Sequence, residues 1–179
     1  NNITSRDGNH GPIVAGVSTV ASTGFMIMPA GNTEIRGASS GRGVFARGTN
    51  PNTYLNTMDY VTIASTGNAI DFGDSSDNDH FPASCASSTR GLIMGGGGNP
   101  AEITTIDYVI VSSSGNTQDF GELRIAYYTG SGLSNSTRGI IGGGQSAPSV
   151  YNTFTDSVTI AATGVSNFFG NLTARANMN

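Results

Sequence analysis

Three Arg-Gly pairs, Arg42-Gly43, Arg90-Gly91 and Arg138-Gly139, are each followed 17 or 18 residues later by an aspartate, Asp59, Asp107 and Asp156. A guanidinium is a planar fork that matches a carboxylate, so this recurrence predicts ion pairs Arg42–Asp59, Arg90–Asp107 and Arg138–Asp156 within or between sheets. The other readings are a ring of arginines that binds a ligand, or unpaired surface residues. The acidic run Asp71, Asp74, Asp77, Asp79 offers oxygen ligands of the kind calcium takes. Its spacing departs from the EF-hand loop and the closing glutamate is missing, so it reads as a solvated acidic loop. His10 and His80 stand 70 residues apart, too few and too distant to predict a zinc or copper site. Asp-Phe-Gly, at Asp71 and Asp119, copies the kinase magnesium motif by chance, since no glycine-rich loop, catalytic loop or lysine accompanies it. A Gly-x-Ser-x-Gly elbow is also absent. Cys85 sits in an Ala-Ser-Cys-Ala-Ser run with no basic neighbour and reads as a small buried residue, not a reactive thiol. The expectation is a non-enzymatic chain without catalytic residues, cofactor or metal.

The elements that must position these residues are repeats. The Arg-Gly anchors recur at intervals of 48 and 48, and Phe72-Gly73, Phe120-Gly121 and Phe169-Gly170 at 48 and 49. Between them the text Asp59-Tyr-Val-Thr-Ile-Ala-Ser-Thr-Gly67 returns from Asp107 to Gly115 and from Asp156 to Gly164. The extra residue of the third copy falls in the loop around Gln145 to Asn152. A period of this length marks solenoids, propellers or arrays. Residues 36–179 divide into copies at about 36–83, 84–131 and 132–179, behind an N-terminal segment, 1–35, that reads as a cap, an arm or an attachment device.

Within each copy the pattern predicts strands. The apolar run after Arg-Gly ends in glycine, which suits a buried strand reaching a turn or a close backbone approach. A phosphate-binding loop would need a Lys-Ser/Thr ending and a following helix, and neither is present. In the next strand Val61 and Ile63, Val109 and Val111, and Val158 and Ile160 alternate with mixed residues, so this β-branched face is expected to be core. Ser/Thr-Gly at Gly67, Gly115 and Gly164 then signals a tight turn into a third strand. That strand carries Phe72, Phe120 and Phe169, which are expected to plug the space between neighbouring sheets. The small polar residues before the next Arg-Gly supply a weakly patterned fourth strand.

The whole-chain properties narrow the class. With 179 residues and 26 glycines, turns are frequent and helices are not expected. The eight basic residues are all arginine against twelve acids, a net charge of -4, which argues against a phosphate backbone and so against nucleic acid as a partner. No stretch of 18 apolar residues predicts a membrane span, and no charged-then-apolar leader reads as a signal peptide. One cysteine makes no intramolecular disulfide. The chain begins at Asn1, which suits a processed or partial product.

Three or four short antiparallel strands in about 48 residues, with Gly-Gly after a short apolar strand, resemble Kelch-type propeller repeats. The string from Thr105 to Leu123 and the leader from Asp7 to Thr19 also resemble repeat-bearing virion structural proteins of marine bacteriophages, cyanophages among them. The resemblance implies an all-β array of three Kelch-like blades located in the virion, with other virion proteins and copies of itself as partners. It departs from the Kelch pattern in lacking tryptophan and in having three repeats. In that setting the sequons at Asn2, Asn135 and Asn171 carry no weight. The alternative is a host-attachment adhesin, such as a tail fibre or appendage, whose Tyr54, Tyr127, Tyr128 and Tyr151 stack on a surface glycan. Since single-chain propellers close with four or more blades, three blades predict a homo-oligomer: two chains in a six-bladed ring, a trimer or a longer filament.

Overall fold

A computed structural model describes residues 41–51, 53–97, 101–146 and 150–174, and the N-terminal segment 1–35 lies outside them. The described residues contain β-strands and no helix, and every paired strand is antiparallel. The first sheet has the order β1 (Arg42–Asn50), β2 (Thr53–Thr62), β3 (Ile70–Asp74). The second has β4 (Ala83–Ala86), β5 (Arg90–Met94), β6 (Thr105–Ile110) and β7 (Gln118–Glu122). The third is made of β8 (Ser131–Ser134), β9 (Arg138–Gly142), β12 (Phe154–Thr159) and β13 (Asn167–Asn171), with a small ribbon of β10 (Gln145–Ser146) and β11 (Val150–Tyr151) inserted between its middle strands. The small polar lead-ins to Arg90 and Arg138 do form strands. Each hydrogen-bonds to the Arg-Gly strand that follows it.

The registers explain the recurring dipeptides. Gly43, Gly91 and Gly139 each pair with the first β-branched residue of the next strand, Val61, Val109 and Val158. Pairing between the second and third of these strands skips one residue in every sheet, between Met58/Asp59, Ile106/Asp107 and Thr155/Asp156. The skipped partners are Phe72, Phe120 and Phe169, so each phenylalanine is the extra residue of a β-bulge. A bulge re-aims a side chain out of the regular alternation.

Two apolar clusters lie between the sheets. Met58 and Phe72 from the first sheet meet Ile93 and Val109 from the second. Leu92, Met94, Ile106 and Phe120 from the second meet Ile141, Val158 and Ile160 from the third. The middle sheet is therefore buried on both sides, and Leu92, Ile93 and Met94 of β5 are all buried. Val109, Val111, Val158 and Ile160 are buried as the alternation predicts. Val61 is only half-buried and Ile63 is exposed, because no described sheet covers their side of the first sheet. Phe169 is likewise exposed, on the far side of the third sheet.

Candidate functional site, the seams between sheets

The two seams are closed by one set of contacts. Gly115 N donates to the Phe72 carbonyl at 2.6 Å and Gly164 N to the Phe120 carbonyl at 2.7 Å. Two residues on, Thr117 N donates to Asp74 O at 3.0 Å and Ser166 N to Glu122 O at 2.9 Å. The backbones come so close that a Cβ on Gly73 would stand 2.6 Å from the Gly115 carbonyl, and one on Gly121 would stand 2.2 Å from Gly164 O. Phe-Gly and Ser/Thr-Gly are thus two halves of one joint. The first sheet offers the first half to the second sheet, and the second sheet offers it in turn to the third.

Asp107 and Asp156 are buried in these seams. Each accepts a hydrogen bond from a hydroxyl of its own sheet, Thr117 Oγ1 at 3.1 Å and Ser166 Oγ at 3.2 Å. Those same hydroxyls accept from the preceding sheet's backbone, from Ser76 N at 2.8 Å and Arg124 N at 2.9 Å. An arginine of the preceding sheet then neutralises each carboxylate. Arg47 reaches Asp107 at 2.9 Å, and Arg124 reaches Asp156 at 3.1 Å.

This corrects the pairing expected from spacing. Arg42 lies over the Tyr60 ring at 4.3 Å and Arg90 over Tyr108 at 4.5 Å, and they donate to the Val111 and Ile160 carbonyls of the next sheet at 3.5 and 3.1 Å. Arg138 lies over Phe169 at 5.7 Å, and Asp59 is exposed with no ion-pair partner among the described residues. Strand alternation puts each Asp on the face toward the preceding sheet, whereas the Arg reaches toward the following one. They cannot meet within a copy.

Arg47 is the unusual member. It occupies a bulge in β1 with φ 60, where the corresponding residues are Gly95 at φ 61 and Gly143 at φ 69. A left-handed non-glycine backbone costs roughly 1 kcal/mol or more and persists where the surroundings hold it. Here they do. Besides Asp107, the fully buried guanidinium meets Asp79 at 2.6 Å, Ser75 Oγ at 2.7 Å, Gly95 O at 3.2 Å and Asp77 at 3.6 Å. The acidic run is therefore partly folded inward: Asp79 is buried and Asp77 half-buried, while Asp71 and Asp74 remain exposed. Burial pushes the Asp79 carboxyl up to about 7; Arg47 pulls it down, and Asp77 and Asp107 push it up further. Its Oδ1 has no hydrogen-bond partner.

The tyrosines expected to stack on a glycan stand in different settings. Tyr127 is buried against Phe154, and burial, with Asp156 adding to it, raises its hydroxyl well above the ordinary range. It is a core residue, because its position follows the buried Leu123 into the second seam. Tyr54 is half-buried and stacked on His80 at 4.8 Å, Tyr128 is half-buried with its ring 6.4 Å from His80, and Tyr151 is exposed on β11. Cys85 is half-buried near Gly139, and burial raises its thiol to about 11, which suppresses thiolate chemistry. Arg42, Val44, Leu92, Val109 and Cys85 line a cavity of about 490 Å³ beside the first seam. No group of three or more His, Cys, Asp or Glu is placed to hold a metal among the described residues, and no described helix is long and apolar enough to cross a membrane. Neither the protein-family models nor the curated proteins match this chain.

Proposed function

We propose that the chain is a non-enzymatic structural or appendage protein of a phage particle, its three sheets being successive Kelch-like propeller blades that assemble through their faces and edges. The observation that carries this reading is the repetition of one seam. Two different pairs of sheets use the same Phe bulge, the same glycine joint, the same arginine-on-ring and the same buried aspartate. Such a device fixes the angle between neighbours and serves geometry. The described surface mixes Gly, Ser, Thr and Asn with exposed apolar residues such as Phe45, Ile63 and Phe169, and the chain has no lysine. The virion assignment rests on the sequence resemblance. Quantitative mass spectrometry of purified phage particles encoding this chain tests it: a fixed stoichiometric copy number is expected, and its absence from particles that are otherwise complete overturns the assignment.

A second reading, a glycan-binding adhesin, draws on the hairpin tips. Each Arg-Gly strand runs on into an extension, at β1–β2, at the Gly97–Glu102 bridge and at β10–β11, and the first and third carry Tyr54 and Tyr151. Aromatic rings on protruding loops suit sugar stacking. Saturable, competable binding on a glycan array favours this reading, with loss on Tyr151→Ala, and silence across a broad array favours the purely structural one.

A further inference from the structure

Among the described residues, the two ends of the sheet stack expose opposite halves of the seam that is closed twice between them. On the first sheet Phe45 is 64% and Ile63 72% exposed, with Val61 half-buried and Asp59 open beside them. Their counterparts are Ile93, Val111, Val109 and Asp107 in one seam and Ile141, Ile160, Val158 and Asp156 in the other, all of them buried. On the third sheet Phe169 is 51% exposed with Arg138 over its ring, whereas Phe72 and Phe120 at the same bulge are buried.

We propose that these halves meet between molecules: the Phe169 face of one copy docks on the Phe45–Val61–Ile63 face of a second copy, head to tail. The inference rests on reading the sheets as successive blades, and it is independent of membership in a particle. The partner is argued from complementarity. Phe169-Gly170 is the half-joint that fits the Gly67 turn, as Phe120-Gly121 fits Gly164. Arg138 comes to the Ile63 carbonyl as Arg42 and Arg90 come to Val111 and Ile160. Thr173 holds the position of Ser76, whose hydroxyl donates to Asp107, and so brings a donor to Asp59. A face-to-face arrangement of two first sheets would offer Asp59 a second Asp59 and no phenylalanine bulge.

The copy of the seam is diluted at four residues and in the partner of Asp59, which sets its strength. Thr155 and Ser157 stand where Met58 and Tyr60, or Ile106 and Tyr108, stand in the internal seams, and Gly142 stands in place of Ala46 and Met94. Ala69 lacks the hydroxyl of Thr117 and Ser166. Asp59 gains no arginine from the described part of the third sheet, so among the described residues the contact brings this carboxylate no cation. A reversible association in the micromolar range follows, with solubility of the free chain preserved by the polar substitutions.

Sedimentation of the full chain from low micromolar to submillimolar concentration should show concentration-dependent assembly. Phe169→Asp, a change at an exposed site, should weaken it by roughly a hundredfold with an unchanged circular dichroism spectrum, and Asp59→Asn should strengthen it by about tenfold. Geometry is read with Asn68→Cys and Asn171→Cys, each in a Cys85→Ser background. These positions correspond to Asn116 and Asp74, which touch across the first seam at 3.0 Å. A mixture of the two variants should form a disulfide-linked heterodimer that neither forms alone. A monomer throughout the concentration range, or cross-linking of Asn68→Cys with itself at equal yield, overturns the proposal.

Discussion

Arg47 and Asp79 carry the chain's most concentrated electrostatics. A guanidinium with no solvent exposure faces three carboxylates, so the cluster holds an excess of negative charge in a low-dielectric seam. The system responds at the carboxylate whose Oδ1 has no partner. Asp79 ionises near 7 in the fold and near 3.8 as a free side chain, so the folded state holds a proton that the unfolded chain has already lost across that window. The carboxyl therefore makes folding less favourable as pH rises from about 4 through 7, and the full penalty, on the order of a few kcal/mol, is present above that. Asp79→Asn keeps an oxygen for Arg47 and removes the titration. Thermal unfolding between pH 5 and pH 8 should show the wild-type midpoint falling more steeply than that of Asp79→Asn, with the variant the more stable at pH 8. Parallel curves would place the titrating group elsewhere.

At the scale of the seam, the same buried aspartate is neutralised by two different routes. The second seam uses Arg124, with Gly95 and Tyr127 nearby; the first uses Arg47, with Ser76 at the position of Arg124 and Asp79 at that of Tyr127. These positions differ together, as a cation moved from one strand end to another requires. Arg47→Gly alone should destabilise by about 3–5 kcal/mol, because Asp107 and Asp79 stay buried without a cation. The triple change Arg47→Gly, Ser76→Arg, Asp79→Tyr transplants the second solution into the first seam and should recover most of that loss in urea denaturation. If the triple variant is no more stable than the single one, the two seams are not equivalent. The sequence made the strands, the buried positions Val109, Val111, Val158 and Ile160 and the plugging role of Phe72 and Phe120 legible, because period-two alternation and a repeated aromatic are local signals. It concealed the arginine partners. A spacing of 17 residues says nothing about which face of a strand each group points from, and Arg47 and Arg124 do not recur at equivalent positions. Aligning the copies against each other carries the missing signal, an arginine standing where the other copies have glycine.

For the whole molecule, stability should be distributed as in a linear array. A sheet in such a stack gains burial only from its neighbours, so its stability depends on how many seams it shares. The middle sheet shares two, with Leu92, Met94 and Ile106 buried toward one side and Ile93 and Val109 toward the other. Among the described residues the first sheet shares one and leaves Phe45, Ile63 and Ile70 in solvent, with a longer hairpin whose tip residues are exposed. The third also shares one, but it closes the larger apolar cluster and has four strands. Local opening follows buried contact, and native-state amide exchange reads it element by element. The amides of β5 and β6 should exchange most slowly, those of β9 and β12 at an intermediate rate, and those of β1 and β3 fastest. Measured at low concentration, where the end faces are open, this order reflects the single chain. Raising the concentration should slow exchange in β1–β3 and β13 before it alters β5 or β6, because docking covers the outer faces and leaves the inner seams as they are. Uniform exchange across all three sheets would mean that the fold opens as one unit, and that the seams couple the sheets more tightly than their separate clusters imply.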